Sequence, residues 1–95
     1  MGWFVYILSC ADDSLYTGIT TECERRVKQH NAGKGAKYTR VRLPVVMVYK
    51  EEVEGRSAAS KREYQIKQLT RKQKLALINK SAVFNEKPAA ETNLA

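Results

Sequence analysis

Six consecutive apolar residues, Trp3-Phe4-Val5-Tyr6-Ile7-Leu8, stand near the start of the chain and leave no polar face for water. A run of this length, rich in aromatic and β-branched residues, reads as a strand covered on both sides. Turn chemistry follows at Ala11-Asp12-Asp13-Ser14, and residues 14 to 19 return as a second strand. The expected starting point is therefore a central strand and a hairpin.

In the second strand Tyr16 and Gly18 share one face, while Leu15, Thr17 and Ile19 share the other. The missing side chain at Gly18 predicts open space beside Tyr16, with a bulge as the alternative reading of a strand glycine. The two-residue period sets a condition on the pair of tyrosines. Tyr6 and Tyr16 face the same side only if the joining loop holds an odd number of residues, unless a bulge changes the parity.

Thr21-Glu22-Cys23-Glu24 has the form of a capping box and predicts a helix running to about His30 or Asn31, with Gly33 placed to end it. Lys34 to Arg42 reads as a basic loop. Pro44 introduces a third strand, Val45 to Tyr49, and Gly55-Arg56-Ser57 leads into a helix over about residues 58 to 69. Thr70-x-x-Gln73 is a second capping box, starting a last helix whose apolar residues are Leu75, Leu77 and Ile78. These elements predict an α+β fold, a small mainly antiparallel three-stranded sheet flanked by helices. Residues 1–80 form the expected domain, and 81–95, where periodicity is lost, a flexible C-terminal tail.

Ninety-five residues allow one modest core, so any functional site must lie on it. Seventeen Lys and Arg against ten Asp and Glu give a formal charge of +7, which attracts polyanions and makes nucleic acid the expected partner. Cys10 and Cys23 are too few for a disulfide framework and fit free thiols in a reducing cytoplasm. With one histidine they cannot close a zinc site. No apolar run is long enough for a membrane span.

On the first predicted helix, Cys23, Arg26, Val27 and His30 fall in one sector, whereas Arg25, Lys28 and Gln29 point away. An inward arginine needs a partner, since an unpaired buried charge costs several kcal/mol. A phosphate would serve, as would a structural ion pair or a head snorkelling into water. His30 beside Arg26 is held toward its neutral form, and either helps at a site or caps the helix end. A Cys23–His30 thiol pair is rejected, because seven residues of helix separate them by roughly 10 Å. Glu63, at the margin of its helix's apolar stripe, is one turn before Lys67, an ordinary i,i+4 surface pair if taken alone. Lys34, Lys37, Arg40 and Arg42 with Tyr38 offer four cations and an aromatic ring within nine positions, suited to a nucleic-acid backbone and a stacked base or to plain solvation.

Val5-Tyr6-Ile7, Tyr16-Thr17-Gly18, the Arg26 and His30 helix, and Glu63 within Lys61-Arg62-Glu63-Tyr64, taken in order, resemble the GIY-YIG nuclease cassette, in its small single-domain YhbQ-like branch. The first motif lacks its glycine, and the second has threonine for isoleucine. The resemblance implies the same α+β fold and a metal-dependent endonuclease that hydrolyses DNA phosphodiesters, in single-stranded or structured DNA during repair or recombination. It further implies that Tyr6 takes a proton from water, that Tyr16 orients the nucleophile or phosphate, and that Arg26 clamps the scissile phosphate with His30 assisting. Glu63 would be the one metal-binding carboxylate, for Mg²⁺ or Mn²⁺. Asn79 is the nearest match to a C-terminal asparagine of the family and stays outside the catalytic set. Moving a tyrosine from a pKa near 10 to about 7 requires roughly 4 kcal/mol of differential stabilisation, for which Arg26, the metal and the basic loop are the sources. The chain carries no separate recognition module, so a protein partner for specificity is one expectation. The competing reading is a basic nucleic-acid-binding module that keeps the fold without turnover.

Overall fold

A computed structural model gives the fold and describes residues 2–80; the expected C-terminal tail lies outside the described residues. The elements in order are β1 (Trp3–Ser9), β2 (Leu15–Thr20), α1 (Cys23–Asn31), α2 (Lys37–Arg40), β3 (Val46–Val53), α3 (Arg56–Lys67) and α4 (Arg71–Lys80). The sheet is antiparallel throughout in the order β2-β1-β3, so the doubly apolar β1 is its centre. This is the α+β architecture that the strand and helix patterns predict.

Each face of β1 builds its own core. Val5 and Ile7 pack with Tyr49 of β3 and with Ala59 and Ile66 of α3, joined by Leu77 and Ile78 of α4. Ile7 and Ile66 are fully buried, each contributing roughly 1.5–3 kcal/mol of hydrophobic stabilisation. The opposite face carries Tyr6 and Leu8, which pack with Cys10 and Val45, with Tyr16 of β2 and Val27 of α1 alongside. A register shift between Ile7 and Leu8, opposite Val48 of β3, lets Tyr49 and Met47 serve different cores.

Several element boundaries differ from expectation. Helix α1 starts at Cys23 behind Glu22, which makes no side-chain cap, so the Thr21-x-x-Glu24 capping box does not form. Thr20 does the local work instead, its hydroxyl accepting from the Glu22 amide at 3.1 Å. The helix ends as expected near Gly33, whose φ of 79° allows paired bonds from Gly33 N to the His30 carbonyl and from Lys34 N to the Gln29 carbonyl, at 3.0 and 2.9 Å. The basic loop contains the short helix α2. Strand β3 continues to Val53, four residues past its predicted end, because Lys50 to Val53 find partners along β1. At Thr70 the capping box is present, with Gln73 N–H donating to the Thr70 hydroxyl at 3.1 Å and Thr70 N–H to Gln73 Oε1 at 2.9 Å. Among the described residues no helix is long and apolar enough to cross a membrane.

Candidate active site

The hairpin register decides what the tyrosines can share. Tyr6 pairs with Gly18 and Leu8 with Tyr16, and the connection Cys10 to Ser14 holds five residues, an odd number. Tyr6, Tyr16 and Gly18 therefore occupy one face of the sheet. The space predicted at Gly18 is filled from across the strands rather than lying open beside Tyr16. A Cβ on Gly18 would stand 2.5 Å from Tyr6 Oη, so glycine is what admits the Tyr6 ring tip.

Helix α1 lies over this face and delivers Arg26 and His30 from successive turns. Arg26 Nε donates to Tyr6 Oη at 3.4 Å, and Arg26 Nη1 donates to Gln29 Oε1 at 3.0 Å. His30 is fully buried, with Nε2 3.0 Å from Tyr6 Oη. Its ring meets Tyr6 and Tyr16 edge-on, at centroid distances of 6.1 and 5.5 Å. On the other side of the ring, Nδ1 lies 2.8 Å from the buried Thr39 hydroxyl. Gly35 backs against His30 so closely that any Cβ would collide with the imidazole.

Four ion pairs form among the described residues, Arg25–Glu22, Arg42–Asp12, Arg62–Glu51 and Lys67–Glu63, and Arg26 takes part in none of them. Its half-buried guanidinium faces the Tyr6 hydroxyl outside any of these ion pairs and borders an open groove of about 260 Å³ with Trp3, Ile19, Thr20, Gln29 and Glu22, whose carboxylate is paired with Arg25. A larger apolar cavity, about 540 Å³ between α1 and β3, contains none of the predicted catalytic residues.

Burial pushes the Tyr6 hydroxyl above its ordinary value near 10, and the Arg26 hydrogen bond and charge only partly offset this. Of the expected sources of positive charge, Arg26 by itself does not outweigh the burial of the Tyr6 hydroxyl. Burial, and then the Arg26 charge, hold the His30 imidazole below its usual 6.5, so the ring is neutral near pH 7. Burial likewise raises the Cys23 thiol, away from reactive thiolate character.

Tyr38 stacks on Tyr16, with centroids 6.0 Å apart and planes at 21°. The Arg42 guanidinium lies 3.8 Å from the Tyr38 ring centroid, bonds Asp12 Oδ2 at 3.1 Å and donates to the Tyr38 carbonyl at 2.8 Å. Arg42 is thereby paired with Asp12 at the surface, whereas Lys34, Lys37 and Arg40 are exposed and enter none of the ion pairs.

Glu63 belongs to another helix. It projects from α3, which packs on the Val5 and Ile7 face, and its carboxylate meets Lys67 Nζ at 3.1 Å. No group of three His, Cys, Asp or Glu able to hold a metal occurs among the described residues. Glu63 offers a single hard oxygen donor group, which fits a cation that keeps most of its water and excludes a closed nitrogen–sulfur site. Arg62, beside Glu63 on α3, pairs with Glu51 through Nε at 2.9 Å.

A family model, GIY-YIG catalytic domain, matches residues 2–76. The chain belongs to the GIY-YIG nuclease family. Among similar proteins, a UPF0213 protein of Clostridium perfringens is 54% identical over 91 residues, covering 96% of this chain and 98% of the relative. A UPF0213 protein of Staphylococcus haemolyticus is 57% identical over 75 residues, covering 79% of this chain and 92% of its own. The solution structure of a UPF0213 protein from Bacillus halodurans aligns with TM-score 0.58 at 40% identity, covering 98% of this chain and 100% of that one. A protein of E. faecalis aligns at 0.56 and 42%, covering 98% and 96%. For a GIY-YIG nuclease domain the substrate class is nucleic acid, in keeping with the charge of +7.

Thr39, Gly35 and Gln29 were not among the predicted site residues. Thr39 and Gly35 act through contacts made only in the folded chain, and Gln29 through an i,i+3 bond to Arg26 within α1. The glycine-rich Gly33-Lys34-Gly35 stretch was the one visible signal, as a place where backbone approaches something closely.

Proposed function

We propose that this GIY-YIG domain is a metal-dependent endonuclease that hydrolyses DNA phosphodiester bonds, acting on single-stranded or structured DNA. The observation that carries this reading is the half-buried Arg26, which has no carboxylate partner among the described residues and meets Tyr6 Oη at 3.4 Å beside Tyr16. A phosphate would complete the charge balance that the fold leaves open there.

In this reading Arg26 binds the scissile phosphate and offsets charge that develops on it in the transition state. Tyr6 accepts a proton from the attacking water, Tyr16 orients the nucleophile or the phosphate, and His30 holds the Tyr6 hydroxyl. Glu63 is the residue that would hold Mg²⁺ or Mn²⁺, which would supply positive charge to offset that of the phosphate. Lys34, Lys37 and Arg40 line the backbone path, and Tyr38 adds an aromatic surface beside Tyr16. About six neutralised phosphates would give a log–log salt slope near −5 on duplex DNA.

A second reading, a binding module without turnover, is favoured by the pairing of Glu63 with Lys67 and by the upward shift of Tyr6. Cleavage of supercoiled plasmid and labelled single-stranded DNA, with Mg²⁺ or with EDTA, separates the two. Metal-dependent cutting lost in Glu63→Ala supports the nuclease. Binding that survives both chelation and this substitution, with no cutting of either DNA, supports the binding module.

A further inference from the structure

Behind the tyrosine face a line of hydrogen bonds runs inward from Arg26 to the backbone of the basic segment. At its inner end Thr39 Oγ1 donates to the Ala36 carbonyl at 3.0 Å. A hydroxyl has a single proton to give, and here that proton is engaged. Thr39 can therefore only accept from His30 Nδ1, 2.8 Å away, which places the ring proton on Nδ1. A neutral imidazole protonated there carries its lone pair on Nε2. Nε2 faces Tyr6 Oη at 3.0 Å, so the phenol is the donor in that bond. The Tyr6 oxygen keeps its own lone pairs for Arg26 Nε–H and for an incoming donor.

We propose that Thr39 is a positioning residue whose hydroxyl, anchored on the Ala36 carbonyl, fixes His30 in the Nδ1–H form and so makes His30 the acceptor of the Tyr6 phenolic proton. The tautomer follows from the hydrogen bonds alone, and its consequence for cleavage rests on the nuclease reading above. As water attacks phosphorus, its proton passes to Tyr6 Oη while the Tyr6 proton passes to His30 Nε2, leaving an imidazolium with Nδ1–H still on Thr39. The new P–O bond forms, the bond to the leaving oxygen breaks, and that oxygen takes a proton from solvent. His30 then returns its proton through Tyr6, which restores both groups and neutralises the hydroxide left in solvent. Tyr6 on this account never has to carry a full negative charge in its buried position.

The titratable and charged groups facing His30 are Tyr6 of β1, Tyr16 of β2 and Arg26 of α1, with the neutral Thr39 of α2 behind it. A hydroxyl in the anchoring position selects the tautomer without holding the imidazolium as a carboxylate would, so the ring can give its proton back. Gly35 keeps the ring in place by allowing its own backbone to close against it.

The chain has one histidine, so ¹H–¹⁵N spectra correlating ring nitrogens with carbon-bound protons report its tautomer without ambiguity. At about pH 7.5, where the ring is neutral, wild-type protein is expected to show a protonated Nδ1 and an unprotonated Nε2. Thr39→Val should move the spectrum toward the Nε2–H form or a mixture, while Thr39→Ser keeps the wild-type pattern. In cleavage assays Thr39→Val should lower kcat by roughly tenfold or more with KM within about twofold, and Thr39→Ser should restore it. A wild-type spectrum with the proton on Nε2 overturns the assignment, even if neither variant folds. An unchanged spectrum in folded Thr39→Val overturns the role of Thr39. Because the spectra need no turnover, a protein that cuts nothing would fail as a nuclease while the tautomer was still decided.

Discussion

Tyr6 and Tyr49 are both buried, both lie in strands, and both have hydroxyls pushed above the ordinary value, yet they occupy opposite faces of one sheet and have opposite neighbours. Tyr49 donates to the Glu51 carboxylate, which is itself clamped by Arg62. Burial and then that carboxylate drive its hydroxyl up to about 12, with Arg62 only partly opposing. Tyr6 instead faces the Arg26 guanidinium and a neutral imidazole, with no carboxylate among its hydrogen-bond partners. A negative neighbour locks a phenol as a donor, whereas a positive neighbour with an acceptor behind it leaves the phenol able to exchange its proton. The two faces thus set the same residue type in opposite electrostatic surroundings.

The widest separation between them should appear in cleavage rates. Tyr6→Phe is expected to lower kcat by roughly 10²–10⁴-fold, the range for losing a proton-transfer group, while Tyr49→Phe stays within about threefold of wild type. Equal losses in both variants, measured on the same labelled DNA, would remove the functional distinction between the faces.

Stability gives the next contrast. Gly18→Ala places a methyl against the Tyr6 ring tip and should cost about 1–3 kcal/mol in urea denaturation, with a matching loss of cleavage. Thr17, the neighbouring residue on the other face, is buried with a hydroxyl that finds no partner among the described residues. Thr17→Val should therefore stabilise the domain by about 1 kcal/mol in the same assay and leave cleavage unchanged.

The smallest expected effect concerns pH. His30 has a folded pKa below its unfolded value near 6.5, so its contribution is present above that pH and is lost as pH falls through the folded value. Thermal melts from pH 7.5 to pH 5 should show a decline that His30→Gln reduces. Tyr49 shows the opposite sign. Its folded value of about 12 lies above the unfolded one, so stability is present below about pH 10 and lost as pH rises toward 12, a loss that Tyr49→Phe removes.

Much of the tyrosine face was legible because it depends on local periodicity. Strand alternation with an odd loop brings Tyr6 and Tyr16 to one side, and the 100° helical step turns Arg26 and His30 inward. The Thr70 box was legible because both of its partners are three residues apart. Most of what escaped depends on chain segments that meet only after folding. The Thr21 box lost to a competing hydroxyl at Thr20, one residue upstream, which local pattern alone does not rank. Arg62 found Glu51 across eleven residues, Thr39 found His30 across nine, and the space at Gly18 was taken by a ring from the partner strand. The Glu63 motif could be read, but the layer on which its helix packs is set by Ala59 and Ile66 meeting Val5 and Ile7.

The five-residue connection between β1 and β2 also governs how such a chain can change over time. Inserting or deleting two residues there would leave every side chain of β2 on its present face, so pairs of residues could come and go at modest cost. A single-residue change would exchange Tyr16 and Gly18 with Leu15, Thr17 and Ile19 unless a bulge absorbed it, exposing the core and emptying the tyrosine face together. Length variation among descendants of this hairpin should accordingly proceed in steps of two, and an odd step should be accompanied by a bulge.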